Sequence, residues 1–151
     1  MSSQKESNTV SHMPEATVGG LIFNEKDELF LMKSYKWNEK YCIPGGHIEL
    51  GESMRDAIER EIKEETNLDV TDIQFHSLQD CVYSKNFHEK RHFVFLDFIC
   101  KAVSDDVVLN NEASEFTWIA LKDLDKFPIE TYTLKSIEYF LSKNKKSPYL
   151  I

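Results

Sequence analysis

Three glutamates, Glu61, Glu64 and Glu65, crowd into a stretch that reads as a helix. Met54 to Thr66 holds no Gly or Pro and is rich in helix formers. Ser53 ahead of it is a good N-cap, and Asp56 three residues on can complete a capping box. Asn67 behind it tolerates the left-handed conformation that ends a helix. Acids on a surface helix normally keep away from its apolar stripe. Here, at about 100° per residue, Glu61 and Glu65 each lie roughly 20° from Met54, one on either side. Ala57, Ile58 and Ile62 share that half, and Glu64 borders it. Arg55, Asp56, Glu59 and Lys63 take the opposite, solvent-facing half.

Carboxylates gathered on an inward face repel. At about 5 Å and an effective dielectric near ~20, one pair costs roughly 3 kcal/mol. That presses the acids towards protonation unless a cation intervenes. An all-oxygen donor set suits Mg²⁺ or Mn²⁺ better than Zn²⁺. The competing reading is a solvated acidic helix with i,i+4 partners such as Arg60 and Glu64. The helical phase, together with Gly45 and Gly46 just upstream, favours the metal site.

Gly46, Glu52 and the run Arg60-Glu61-Ile62-Lys63-Glu64-Glu65, closed by Leu68, resemble the signature of the Nudix hydrolases. That signature is G-x5-E-x7-R-E-U-x-E-E-x-G-U with U aliphatic, and only the last Gly differs, as Asn67. The departure touches the helix C-cap and no charged position. So many fixed residues at fixed spacing make the match highly specific. The resemblance implies a Nudix fold, an α/β architecture with a mixed sheet sandwiched between helices. It implies Mg²⁺ (or Mn²⁺) held by Glu61, Glu64 and Glu65, with the Gly45 carbonyl completing the shell. Glu52 and Arg60 would pair and brace the loop against the helix. For the general base the family offers a Glu before a late strand. Glu112 is the best match, as base or further metal ligand, with Glu115 its rival.

The implied reaction is hydrolysis of a nucleoside diphosphate linked to another group. The short chain and the late Glu-Trp segment look like the MutT-type members, which act on nucleoside triphosphates and release monophosphate and pyrophosphate. The alternatives are an ADP-ribose, sugar-nucleotide or dinucleoside-polyphosphate hydrolase, and a non-catalytic nucleotide-binding module. The absence of Pro between Pro44 and Pro128 counts against the ADP-ribose subclass. Trp37, Tyr83 and Phe87 are loop aromatics that could stack on a base. Arg91 could meet phosphate, as could Lys85 and Lys90, and His47 follows the glycine pair.

The chain of 151 residues suits one domain with a real core. A net charge of −8 opposes a polyanion-binding surface, so the expected partner is a small nucleotide and not a nucleic-acid polymer. Family members are often homodimers, which the resemblance leaves open here. Cys42, Cys81 and Cys100 form no CxxC and read as buried reduced thiols of a cytoplasmic protein. No segment is long enough to span a membrane, and the N-terminus lacks a signal-peptide h-region.

Residues 1–14 are polar and Ser-rich, the composition of a disordered tail. The Nudix domain is expected over 15–143, with a C-terminal tail over 144–151. Within it, strands are expected over 16–23, 28–34, 41–43, 70–84, 91–103 and 116–119. A helical turn follows at 121–124, and a final helix at 133–142. Val18-Gly19-Gly20 puts two glycines inside the first strand, a mark of a bulge or a close approach. In the strand over 91–103 both alternating sets are apolar, so both faces are covered. Asp97 is then an interior polar group in need of a partner, structural and not catalytic.

Overall fold

Two early apolar runs are strands, and both are buried along most of their length. The computed structural model describes residues 12–151, so the expected tail lies outside the described residues except for 12–14. Strand β1 is Glu15–Phe23 and β2 is Leu29–Ser34. Asn24 builds the turn between them, its Oδ1 accepting the N–H groups of Lys26 and Glu28 at 3.0 and 2.9 Å. A 3-10 turn, Tyr35–Trp37, leads to β3, Lys40–Cys42, and β4, Gly45–His47. Helix α1 is Met54–Thr66. Then come β5, Val70–Val82, β6, His92–Ala102, and β7, Ala113–Ile119. A 3-10 stretch, Leu121–Lys126, precedes α2, Thr131–Leu141, and β8 is Tyr149–Leu150.

The sheet is mixed, in the order β3-β2-β1-β6-β5-β8, with β4 on β1 and β7 on β2. Parallel pairing of β1 with β6 runs the whole length of β1, from Glu15↔Phe93 to Phe23↔Lys101. The other edge of β1 is shared. β4 takes its N-terminal half at Thr17, Val18 and Gly19, which leaves β2 only Phe23↔Leu29. The β3-β2-β7 arm therefore diverges from β1, and a cleft opens between the two.

Each face of the sheet carries a helix and a core. On one face Ala57, Ile58 and Ile62 of α1 pack against Val18, Ile22, Phe30 and Phe98. A side chain on Gly20 would lie 3.0 Å from Ile62, so the glycine lets α1 approach β1 closely. On the other face Ile137 of α2 packs with Leu21, Leu29, Leu31 and Ile119. Cys42, Cys81 and Cys100 are buried free thiols. Among the described residues, no helix is long and apolar enough to cross a membrane.

Helix α1 matches its expected bounds because both caps form. Ser53 Oγ accepts the Asp56 N–H at 3.1 Å, and Asn67 is left-handed with φ 66°. Helix α2 starts two residues earlier than expected. The Glu130 carboxylate caps it, accepting the N–H groups of Tyr132 and Thr133, each at 2.9 Å. The stretch 144–151 is not wholly a tail. β5 has a free outer edge, and Leu78 and Gln79 pair there with Tyr149 and Leu150. The Leu78 N–H donates to the Pro148 carbonyl at 2.9 Å, and the Tyr149 hydroxyl bonds Asp80.

Asp97 is buried under α2, with the Ser136 hydroxyl as its partner. Burial pushes its carboxyl up from the usual 3.8 to about 7, and the Ser136 bond pulls the other way. The fold thus retains a proton that the unfolded chain releases. This is neutral to stability below about pH 4 and destabilises progressively as pH rises to about 7, by at most about 4 kcal/mol. We expect Asp97→Asn to raise the melting temperature at pH 8 by at least about 3 °C, with the gain fading towards pH 4.5. A pH series of thermal melts checks this; a variant that melts lower at pH 8 would refute it.

Candidate active site

The helical phase turns Glu61 and Glu65 inward and leaves Glu64 exposed at the cavity rim. Glu65 is 2 % exposed, deep on the sheet side of α1. The Glu61 side chain is 13 % exposed and that of Glu64 56 %. Met54 itself is exposed, so the inward direction is set by Ala57, Ile58, Ile62 and Glu65. The two glycines of β4 meet this face. The Gly45 N–H donates to Glu65 Oε1 at 2.8 Å. A side chain on Gly45 would lie 2.0 Å from the Val18 carbonyl oxygen, and one on Gly46 2.5 Å from the Glu61 carboxyl. Glycine is what allows β4 to sit between β1 and the acids.

Arg60 ties the loop after β4 to α1. Its Nε and Nη2 donate to the two oxygens of Glu52 at 2.7 and 2.9 Å, a bidentate pair. Nη2 also reaches the His47 carbonyl at 3.0 Å. Nη1 bonds Glu61 at 2.8 Å and Glu64 at 3.2 Å. The guanidinium holds the Glu52 carboxyl down at about 2.

The cleft holds a cavity of about 320 Å³. Glu61, Glu64 and Glu65 line it with Gly45 and Gly46. Trp37 and Phe87, both expected as stacking residues, line it too, their ring centres 4.7 Å apart. Three rings the sequence reading did not single out join them. Phe93 and Phe95 of β6 stack at 5.4 Å, and Tyr132 of α2 lies 5.4 Å from Phe95. Phe93 and Phe95 share a strand face with Asp97, a pattern visible in the sequence, but apolar residues on both faces hid which side mattered.

Glu112 lines the cavity, paired with Lys36, a residue the sequence reading passed over. Its rival Glu115 points elsewhere, bonded to Lys33 at 3.2 Å in the β2–β7 ladder. His47 lines the rim and meets Glu15 at 2.7 Å. Tyr83 and Arg91 do not line the cavity, contrary to expectation. Arg91 is turned to Glu15, its Nε 2.6 Å away, and to Glu89. Tyr83 is exposed, with the Lys90 ammonium 4.5 Å over its ring.

Burial raises the Glu61 carboxyl above its ordinary range despite Arg60. Burial, and then the Glu112 charge, raises that of Glu65 well above it. Among the described residues no three acidic, His or Cys groups are gathered as a cation would hold them. Glu61 is engaged by Arg60, Glu65 by the Gly45 N–H, and Glu112 by Lys36. The donor set nonetheless fits a divalent cation. It is all oxygen and lines one cavity, and its like charges destabilise one another without a counter-charge.

The glycine contacts separate in their cost. Gly45→Ala collides with backbone and should destabilise by about 3 kcal/mol or more. Gly46→Ala meets only the end of a side chain, and about 1 kcal/mol is expected. Urea denaturation of both variants checks the order, and equal losses would refute it.

Known proteins can now be set beside this geometry. The NUDIX domain family matches residues 13–140. The nucleoside triphosphatase NudI of Escherichia coli O81 (strain ED1a) is 28% identical over 104 residues, covering 65% of this chain and 74% of NudI. The crystal structure of the MutT NUDIX hydrolase from Burkholderia pseudomallei superposes with a TM-score of 0.73 at 22% identity, over 84% of this chain and 98% of that one. The MutT protein from Methanosarcina mazei Go1 gives a TM-score of 0.70 at 27% identity, over 90% and 99%. With the family matched across nearly the whole described chain, and its signature acids turned into one cavity, this chain belongs to the NUDIX domain family as a Nudix hydrolase.

Proposed function

We propose that this protein is a Mg²⁺-dependent (or Mn²⁺-dependent) pyrophosphohydrolase that cleaves a nucleoside triphosphate to monophosphate and pyrophosphate. One observation carries the reading: a single cavity is lined both by the signature carboxylates Glu61, Glu64 and Glu65 and by five aromatic rings. A planar base stacks on rings, and a polyphosphate needs cations. The triphosphate preference is supported by the likeness to NudI, a nucleoside triphosphatase.

In this reading Glu61, Glu64, Glu65 and the Gly45 carbonyl hold the cations, with Glu112 as base or further ligand. Bound there, divalent cations screen the phosphate oxygens and lower the pKa of water. The chain's own residues do the rest. Trp37, Phe87, Phe93, Phe95 and Tyr132 hold the base. Arg60 and Glu52 fix the direction of Glu61 by tying the loop to α1. Glu112, a cavity-lining carboxylate, would accept a proton from the attacking water. The buried free thiols support a reducing compartment, the cytoplasm.

The test is a nucleotide panel with Mg²⁺, with Mn²⁺ and with chelator, read by product analysis. We expect monophosphate and pyrophosphate, and none with chelator. Ribose phosphate from ADP-ribose would shift the substrate class. Tight binding without any cleavage would make the chain a non-catalytic module. Glu65→Gln should lower turnover by about 10³-fold or more, with a melting temperature no lower than the parent's, since a buried charge is removed. Undiminished turnover would refute the ligand assignment.

A further inference from the structure

Among the described residues, Lys36 is the one Lys or Arg lining the cavity, set against seven carboxyl groups. Its place is fixed by backbone. Ser34 Oγ accepts the Lys36 N–H at 3.2 Å, and the Lys36 carbonyl accepts the His88 N–H at 2.8 Å. The 3-10 turn and the loop after β5 thus clasp each other, joined also by the Trp37–Phe87 ring contact. From this anchored backbone the side chain, 31 % exposed, reaches Glu112. Lys36 immediately precedes Trp37 on the chain and meets Glu112 in space, so it adjoins both a cavity ring and a cavity acid.

We propose that Lys36 is a phosphate-binding residue latched to Glu112 in the ligand-free enzyme, and that substrate phosphate takes Lys36 from Glu112 and so frees that carboxylate for the reaction. This rests on the triphosphatase reading and deepens it. A nucleotide in this cavity brings its phosphates to a lining whose one Lys or Arg, among the described residues, is Lys36. A phosphate chain offers an ammonium more charge and more acceptor oxygens than one carboxylate does. The trade costs the enzyme one ion pair and returns another. It also leaves Glu112 without its counter-charge only when substrate is present, so the base is withheld from an empty cavity.

The latch has a signature that a merely structural lysine lacks. Binding of the magnesium complexes of α,β-methylene analogues of the four common ribonucleoside triphosphates is measured by calorimetry. The proteins are the parent, Lys36→Met, Glu112→Gln and the double variant. Lys36→Met should weaken the tightest analogue tenfold or more in the parent background. In the Glu112→Gln background its effect should be at least threefold larger, because there the ligand no longer has to break the pair. Lys36→Arg should stay within threefold of the parent, and Lys36→Gln serves in the same cycle if the Met variant does not fold. An unchanged affinity in Lys36→Met, or an effect no larger in the Glu112→Gln background, overturns the latch alone. A parent that binds none of the four analogues overturns the triphosphatase reading, and the latch falls with it.

Discussion

A cluster of carboxylates inside a fold needs a cation, and the permanent one here is Arg60. A guanidinium has five N–H donors in a rigid fork. This one places them on Glu52, Glu61, Glu64 and the His47 carbonyl. The bonds reach in two directions, to the loop after β4 and along α1. They therefore fix the distance between the loop and the helix. That distance is what lets the Gly45 N–H reach Glu65 and lets β4 take half the edge of β1. Because β4 occupies that edge, β2 is turned away and the cleft opens. One ion-pair network thus joins the acids of α1 to the loop after the strand that borders their cavity.

How far this was legible in the sequence depends on whether a cause is local. Both ends of α1 could be read because Ser53 and Asn67 act on their own neighbours. β4 could not. Gly45, Gly46 and His47 have no strand propensity, and they pair because β1 presents an open edge, which is a tertiary fact. The choice between Glu112 and Glu115 turned on register. Glu115 lies opposite Lys33 in the ladder and is held there, whereas Glu112 precedes β7 and faces the cavity. Arg91 was misplaced for a similar reason. Its partner Glu15 is far away in the chain, and parallel pairing of β1 with β6 brings the two together. Lys36 carried no signal at all, since a lysine in a polar loop is ordinary until its neighbour in space is known.

Helix α2 shows a second way in which polar groups position the cavity. Its apolar contacts, Ile137 in the core and Phe140 stacked on Phe23 at 4.9 Å, would tolerate some sliding along the sheet. The polar contacts would not. His76 Nε2 lies 2.9 Å from the Ser136 carbonyl, and Gln79 Nε2 donates to the Tyr132 carbonyl at 2.9 Å. Directional bonds fix the helix in one register, and that register carries Tyr132 and Thr133 to the cavity wall. The Gln79 Oε1 atom is left buried without a hydrogen-bond partner, a cost that the docking contacts offset.

The make-up of the cavity lining also bears on what kind of phosphate it can admit. A nucleic-acid polymer gains affinity from many lysine and arginine contacts along its backbone. This chain carries a net charge of −8, and a single ammonium lines its cavity among the described residues. A free nucleotide needs no such track. On the proposed reading its base would be held by rings, which are indifferent to charge, and only a short run of phosphates would have to be neutralised. The carboxylates that repel a long polyanion are the same groups that would collect cations for a short one. Selectivity for a small substrate and the means of attacking it would then come from one set of side chains.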